Sequence, residues 1–199
     1  FFYLFTLQCF TIFDNLFVSS APSNISYPRV AYQDIDPLYD EDSSQLEINI
    51  NNAVNYVDSL GVNTVYIQAY ADPTGHTRVK QMYFNNSALG QLGKDIFPNI
   101  ASKFKGKGYK VGAWMPILAY QFTTINSLPA EYVQTWNSTS QSVEEESCET
   151  AAYYCRLTPF NTNNSLIIES IYEDFVRSFP DIDIIHVHDV DALIDLEDC

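Results

Sequence analysis

The chain has 199 residues, of which 46% are hydrophobic, 15% aromatic and 18% charged, a balance that supports a packed core and excludes a disordered or collagen-like chain. Asp and Glu number 25 against 10 Lys and Arg, for a formal net charge of -15. That charge excludes unaided binding to nucleic acid or to an anionic membrane surface and makes a cationic partner the natural match.

The chain opens with an apolar run, Phe1 to Phe13, that Asp14 interrupts before the ~20 residues a spanning helix needs, so no membrane span is expected. The run fits the apolar region of a secretory signal, with Ser19, Ser20 and Ala21 as a cleavage zone, or a buried segment left from a preceding domain. Residues 1–28 are accordingly set apart as leader or remnant plus linker, and 29–199 as the folded domain.

Arg29 to Ile35 reads as a strand ending in Asp34 and Asp36, with Asp40 beyond. Leu46, Ile50, Ala53, Val54, Val57 and Leu60 then recur at helical spacing, with Asp42 or Ser43 to cap the start and Gly61 placed for a left-handed stop. Val62 to Tyr70 is β-rich without helical period, as in a strand buried on both faces. A second helix starts about Pro98, carries Ile100, Ala101 and Phe104, and closes at Gly106 and Gly108 before a third strand, Tyr109 to Met115. The polar stretch from Gln121 to Tyr154 is too long for an ordinary connection and reads as an insertion or functional loop. A third helix follows from Leu166 to Arg177, and Ile182 to Val187 is a fourth strand.

Strands alternating with helices imply right-handed βαβ crossovers and a parallel sheet, hence an α/β fold. Two architectures fit, an open doubly wound sheet and half of a (β/α)8 barrel; no GxGxxG or GxxxxGK[ST] follows a strand to favour a nucleotide-binding open sheet. The length falls short of the ~250 residues of a complete barrel, and the chain reads as cut at both ends.

In such folds ligands sit at the carboxyl ends of the strands, and polar residues gather there at all four. They are Asp34 and Asp36; Gln68, Tyr70 and Asp72; Trp114; and His186, His188, Asp189 and Asp191. Each has a plain structural alternative: Asp before Pro37 is a common turn element, Trp114 can fill a core, and Gln68 and Tyr70 can be satisfied core polars. Asp-x-Asp after a strand is also a weak phosphatase signal, without the Thr expected after it. His186 and His188 have the spacing of a metal-binding pair, so a metal-dependent hydrolase is an alternative. A carboxylate acid or base at Asp189 is the simpler chemistry and needs no metal or cofactor. Cys9, Cys148, Cys155 and Cys199 form no zinc pattern; Cys148 and Cys155 could staple one loop in an oxidising compartment, and sequons at Asn24, Asn85, Asn137 and Asn163 permit glycosylation.

The stretches RVAYQDIDPLYD (29–40), LGVNTVYIQAYADPTG (60–75), YKVGAWMPILAY (109–120), CRLTPFN (155–161) and HDVDALIDLED (188–198) resemble the C-terminal glycoside hydrolase domain of the PgaB family, from about Arg29 to Cys199. The resemblance implies the N-terminal half of a (β/α)8 TIM barrel, secreted, periplasmic or at the cell envelope. The implied substrate is a cationic amino-sugar polysaccharide, partially de-N-acetylated poly-β-1,6-N-acetylglucosamine. The family's His-Asp-Asp-Ala motif falls on His188, Asp189, Val190 and Asp191, with Val190 in place of the second Asp. Asp189 is then the catalytic acid or base, Asp34, Asp36 and Asp72 attract ammonium groups, and Asp191 is among the substrate-binding residues. Tyr70 and Trp114 stack sugar rings, while Gln68, His188 and Arg156 orient hydroxyls or carboxylates. A carbohydrate-binding homologue without catalysis, suggested by Val190, is the other class in view.

Overall fold

The computed structural model of the chain describes residues 27–73, 75, 79–93, 96–122, 124–125, 128–145 and 156–187. The elements in order are β1 (Val30–Gln33), a 3₁₀ turn (Asp36–Leu38), α1 (Ser43–Ser59), β2 (Thr64–Gln68), β3 (Tyr70–Ala71), β4 (Gln81–Met82), β5 (Gly90–Gln91), α2 (Ile96–Gly106) and β6 (Lys110–Met115). There follow β7 (Thr124–Ile125), β8 (Leu128–Pro129), β9 (Gln134–Asn137), β10 (Ser142–Glu145), α3 (Thr162–Ser178) and β11 (Ile184–Val187). None of the described helices is long and apolar enough to cross a membrane.

Local chemistry sets the helix ends. The Asp42 carboxylate accepts the Ser44 N–H at 2.8 Å to start α1, and Gly61 follows its end at φ 68°. Asn161 caps α3 through the Asn164 N–H at 3.1 Å. Pro98 sits inside the first turn of α2, where its missing N–H is not needed, and Gly108 takes the left-handed conformation just past the helix.

The four long-range strands form one parallel sheet in the order β1-β2-β6-β11, each paired with the strand one βα unit away. Consecutive order with right-handed crossovers puts the helices in one layer on one side of the sheet. Their contacts agree: Lys103 of α2 bridges Glu47 of α1 at 2.7 Å, and Phe97 of α2 meets Phe175 of α3 edge to face at 5.3 Å. Under that layer alternate strand residues are sealed, Val65 and Ile67 from β2 and Val111, Ala113 and Met115 from β6, all at 0% exposure. They pack against Ile50, Val54 and Val57 of α1, Ile100 and Phe104 of α2, and Ile171 and Phe175 of α3.

Two segments differ from the sequence expectation. The run 62–70 is not one strand: β2 stops at Gln68, and Tyr70–Ala71 turns away to pair antiparallel with β4, which in turn pairs with β5. Ala69 is the pivot, its N–H given to the Trp114 carbonyl at 3.0 Å and its carbonyl receiving the Tyr83 N–H at 2.9 Å, so one residue serves two sheets. The stretch from Gln121 to Tyr154, expected as an insertion or functional loop, carries among its described residues two antiparallel hairpins, β7–β8 and β9–β10. Strands this short offer too few residues for a period to show in sequence.

Candidate active site at the strand ends

The site grows from the place where β1 runs out. Ile35 is fully buried and anchors the turn, its N–H given to Gln68 Oε1 at 2.8 Å. Gln68, 4% exposed at the end of β2, also accepts the Asp36 N–H at 3.3 Å and donates Nε2 to Asp36 Oδ2 at 2.6 Å. Its buried amide is thus satisfied by the β1 end, as a buried amide must be.

Asp36 collects further donors. The Tyr83 hydroxyl donates to Oδ1 at 2.6 Å, and the Asp72 N–H lies 3.1 Å from each carboxylate oxygen. Both oxygens accept and neither donates, the pattern of a carboxylate fixed in place. Burial first, and then the hydrogen bond to Asp36, drive the Tyr83 phenol far above its ordinary range, so it stays a donor. Asp34 keeps much of its surface in solvent. Partial burial nevertheless raises its carboxyl above the ordinary aspartate value, and the neighbouring Asp36 charge adds to the rise. One carboxylate is locked and its neighbour holds a proton to higher pH.

The face of the sheet away from the helices carries aromatic residues. Tyr66 of β2 and His186 of β11 stack at 4.8 Å and 8°, although β6 lies between them. Gly112 makes this possible: a Cβ there would meet Tyr66 Cδ1 at 2.5 Å and Cε1 at 2.8 Å, so the Tyr66 ring lies over the missing side chain. Tyr32 of β1 reaches the same ring, its hydroxyl 3.1 Å from His186 Nε2. Side chains standing up from a flat sheet stay as far apart as their strands, about 14 Å across three strand spacings, so the sheet is concave on this side. Trp114 closes the cluster, edge-on to Tyr32 at 5.5 Å and to Tyr70 at 5.6 Å.

Of the residues expected from sequence, Asp34, Asp36, Gln68 and Asp72 come together, and Trp114 meets Tyr70 beside them; Tyr70 is 5% exposed and the buried Gln68 amide is occupied by the β1 end, so neither presents the open surface expected for stacking or orienting a sugar. Arg156 is buried, 8% exposed, in the rim beyond β6, where its carbonyl receives the Val133 N–H at 3.0 Å. His188, Asp189 and Asp191 lie outside the described residues, as do His76, the four cysteines and residues 1–26. Among the described residues no group of His, Cys, Asp or Glu is arranged to hold a metal ion. Sequence reasoning did not find Tyr83, Tyr32, Tyr66 or Gly112. The strand alternation that buries Val65 and Ile67 signals Tyr66 on the other face, whereas nothing local signals Tyr83.

Residues 32–199 match the model of hypothetical glycosyl hydrolase family 13. The chain is 32% identical over 172 residues to the poly-beta-1,6-N-acetyl-D-glucosamine N-deacetylases of Escherichia coli K12 and O157:H7, covering 85% of this chain and 24% of each relative. The structure of the PgaB (BpsB) glycoside hydrolase domain from Bordetella bronchiseptica aligns with a TM-score of 0.62 at 30% identity, over 76% of this chain and 41% of that one. The chain therefore spans about a quarter of the curated relatives and under half of the solved domain. With the family match covering most of its length, the chain belongs to hypothetical glycosyl hydrolase family 13 and is homologous to the PgaB glycoside hydrolase domain.

Proposed function

We propose that this domain contributes the first four βα units of a (β/α)8 barrel that hydrolyses partially de-N-acetylated poly-β-1,6-N-acetylglucosamine outside the cytoplasm. The observation that carries the reading is the carboxylate cluster at the ends of β1 and β2, Asp36 locked by Gln68, Tyr83 and Asp72 with Asp34 beside it, in a chain of a glycosyl hydrolase family. The consecutive strand order and the concave aromatic face support barrel-like curvature.

In this chemistry a carboxylic acid gives its proton to the glycosidic oxygen as the C–O bond breaks, and a second carboxylate either activates water or forms a covalent intermediate at the oxocarbenium-like carbon. Asp189, just beyond β11, is the first choice for an essential acid or base. Asp34, with its raised carboxyl, and Asp36 face the positive charge of a glucosamine ring, with Asp72 and Asp191 adding to the field. Trp114 supplies ring surface and His188 orients substrate polar groups, whereas Tyr70 and Arg156, 5% and 8% exposed, back the site from behind without an open face for the sugar. No cofactor is required.

The test is fragment release from partially de-N-acetylated polymer by the full-length protein. Asp189→Asn is expected to lower the rate by roughly 10²–10⁴ while polymer binding persists. Cleavage unchanged by that substitution removes Asp189 from the mechanism. Wild-type binding with no cleavage replaces the hydrolase with a binding protein, and activity lost to a chelator and restored by zinc transfers the chemistry to a metal.

A further inference from the structure

The β9–β10 hairpin grows from the rim at the carboxyl end of β6. Tyr132 and Val133 at its root are buried, and Tyr132 forms a β-bridge with Leu157, whose N–H is held by the Leu118 carbonyl at 2.9 Å. The Tyr132 hydroxyl also receives the Phe122 N–H at 2.8 Å. Beyond this fixed root the hairpin stands in solvent with two unlike faces.

On one face Asn137, Ser140 and Ser142 all donate to Glu144, and these hydrogen bonds hold its carboxyl below the ordinary range. That face satisfies itself. The register puts Trp136 opposite Val143 and Gln134 opposite Glu145, so these four share the other face. Trp136 is 64% exposed and Val143 59% exposed, with Gln134 and Glu145 also open to solvent. Trp136 and Val143 are cross-strand neighbours held out on a rooted hairpin, and Glu145 lies on the same face.

We propose that this face is an accessory subsite for the amino-sugar chain, with a glucosamine ring lying on Trp136 and Val143 and its ammonium group taken by Glu145. The assignment rests on the polysaccharide reading above. An indole presents a flat apolar, electron-rich face to the C–H side of a sugar ring and attracts a nearby cation. The net charge of -15 favours the same ligand, and the hairpin shares its rim with the Arg156 and Leu118 backbone near the proposed site.

Trp136 stands in solvent and Trp114 is half-buried in the aromatic face, so the difference in acrylamide quenching between the wild-type protein and Trp136→Phe isolates the Trp136 signal. A partially de-N-acetylated β-1,6-glucosamine oligosaccharide added to the full-length protein is expected to shield the accessible component, which Trp136→Phe identifies. Trp136→Ala is expected to weaken binding of long oligosaccharides roughly threefold to tenfold, and Glu145→Gln to reduce the preference over the fully N-acetylated oligosaccharide. Trp136 shielded without polymer cleavage retains the subsite and ends the hydrolase reading. Trp136 unshielded while the polymer is cleaved overturns the subsite alone. Shielding that follows protein concentration without sugar assigns the face to a second copy and also overturns it.

Discussion

The two faces of the four-stranded sheet use the same strands for different ends. Toward the helices Val65, Ile67, Val111, Ala113 and Met115 are sealed among apolar side chains, and shape is the only specification. Toward the concave side Tyr32, Tyr66, Trp114 and His186 touch through ring edges, one stack and one hydrogen bond, and each retains a polar atom. Burial on the first face supplies stability that the second face does not need to supply. The concave side and its rim are therefore free to carry charge and chemistry.

Substitutions on the two faces test this contrast. Phe175→Ala removes a fully buried ring that meets Phe84, Phe97 and Phe179, and is expected to cost about 3–5 kcal/mol in denaturant unfolding. A comparable loss for His186→Ala breaks the distinction between the faces. Tyr83→Phe leaves Asp36 without one of its donors and is expected to cost about 1.5–3 kcal/mol, with Asp36→Asn partly masking that cost in a double-mutant cycle. Gly112→Ala forces the Tyr66 ring off its place beside His186 and is expected to cost about 1–3 kcal/mol, read together with the tyrosine near-ultraviolet signal.

Asp34 gives the pH test. Its folded carboxyl is raised above the ordinary value of 3.8, so the folded state binds the proton more tightly than the unfolded chain. The resulting stabilisation is present below 3.8 and is lost as pH rises through the folded value. Asp34→Asn is expected to flatten that decline in a stability profile; an unchanged profile assigns the slope to other groups. The smallest effect belongs to the hairpin tip, where Gln141 has φ 54°. Gln141→Gly is expected to stabilise by about 0.5–1 kcal/mol, a gain visible as slower proteolysis at the tip.

Much of this was legible in sequence where a rule acts locally. Helical spacing, the Asp42 cap and the Gly61 stop predict α1, and the placement of ligands at strand carboxyl ends picks out Asp34, Asp36, Gln68 and Asp72 before any coordinate is known. What was not legible depends on register. Nothing near Gly112 says that two rings will meet above it, because Tyr66 and His186 are brought there by separate strands. Tyr83 lies after the β4 strand, and its hydroxyl finds Asp36 only because Ala69 directs the chain back over the site. Ala69 also explains the divided strand: β propensity runs through 62–70, but it cannot say which neighbour each residue pairs with.

The Asp36 network also bears on the order in which the molecule folds. Its hydrogen bonds close loops of 32, 36 and 47 residues, to Gln68, Asp72 and Tyr83. Such loops carry their closure entropy before any contact compensates it, whereas the capped helices form from near neighbours. Because Asp36 and Gln68 lie at the ends of β1 and β2, the network is expected to close once those strands are paired and to act as a latch on the finished structure. Weakening it through Tyr83→Phe is expected to leave the refolding rate nearly unchanged and to speed unfolding, so that this strand-end cluster also sets how long the domain stays folded.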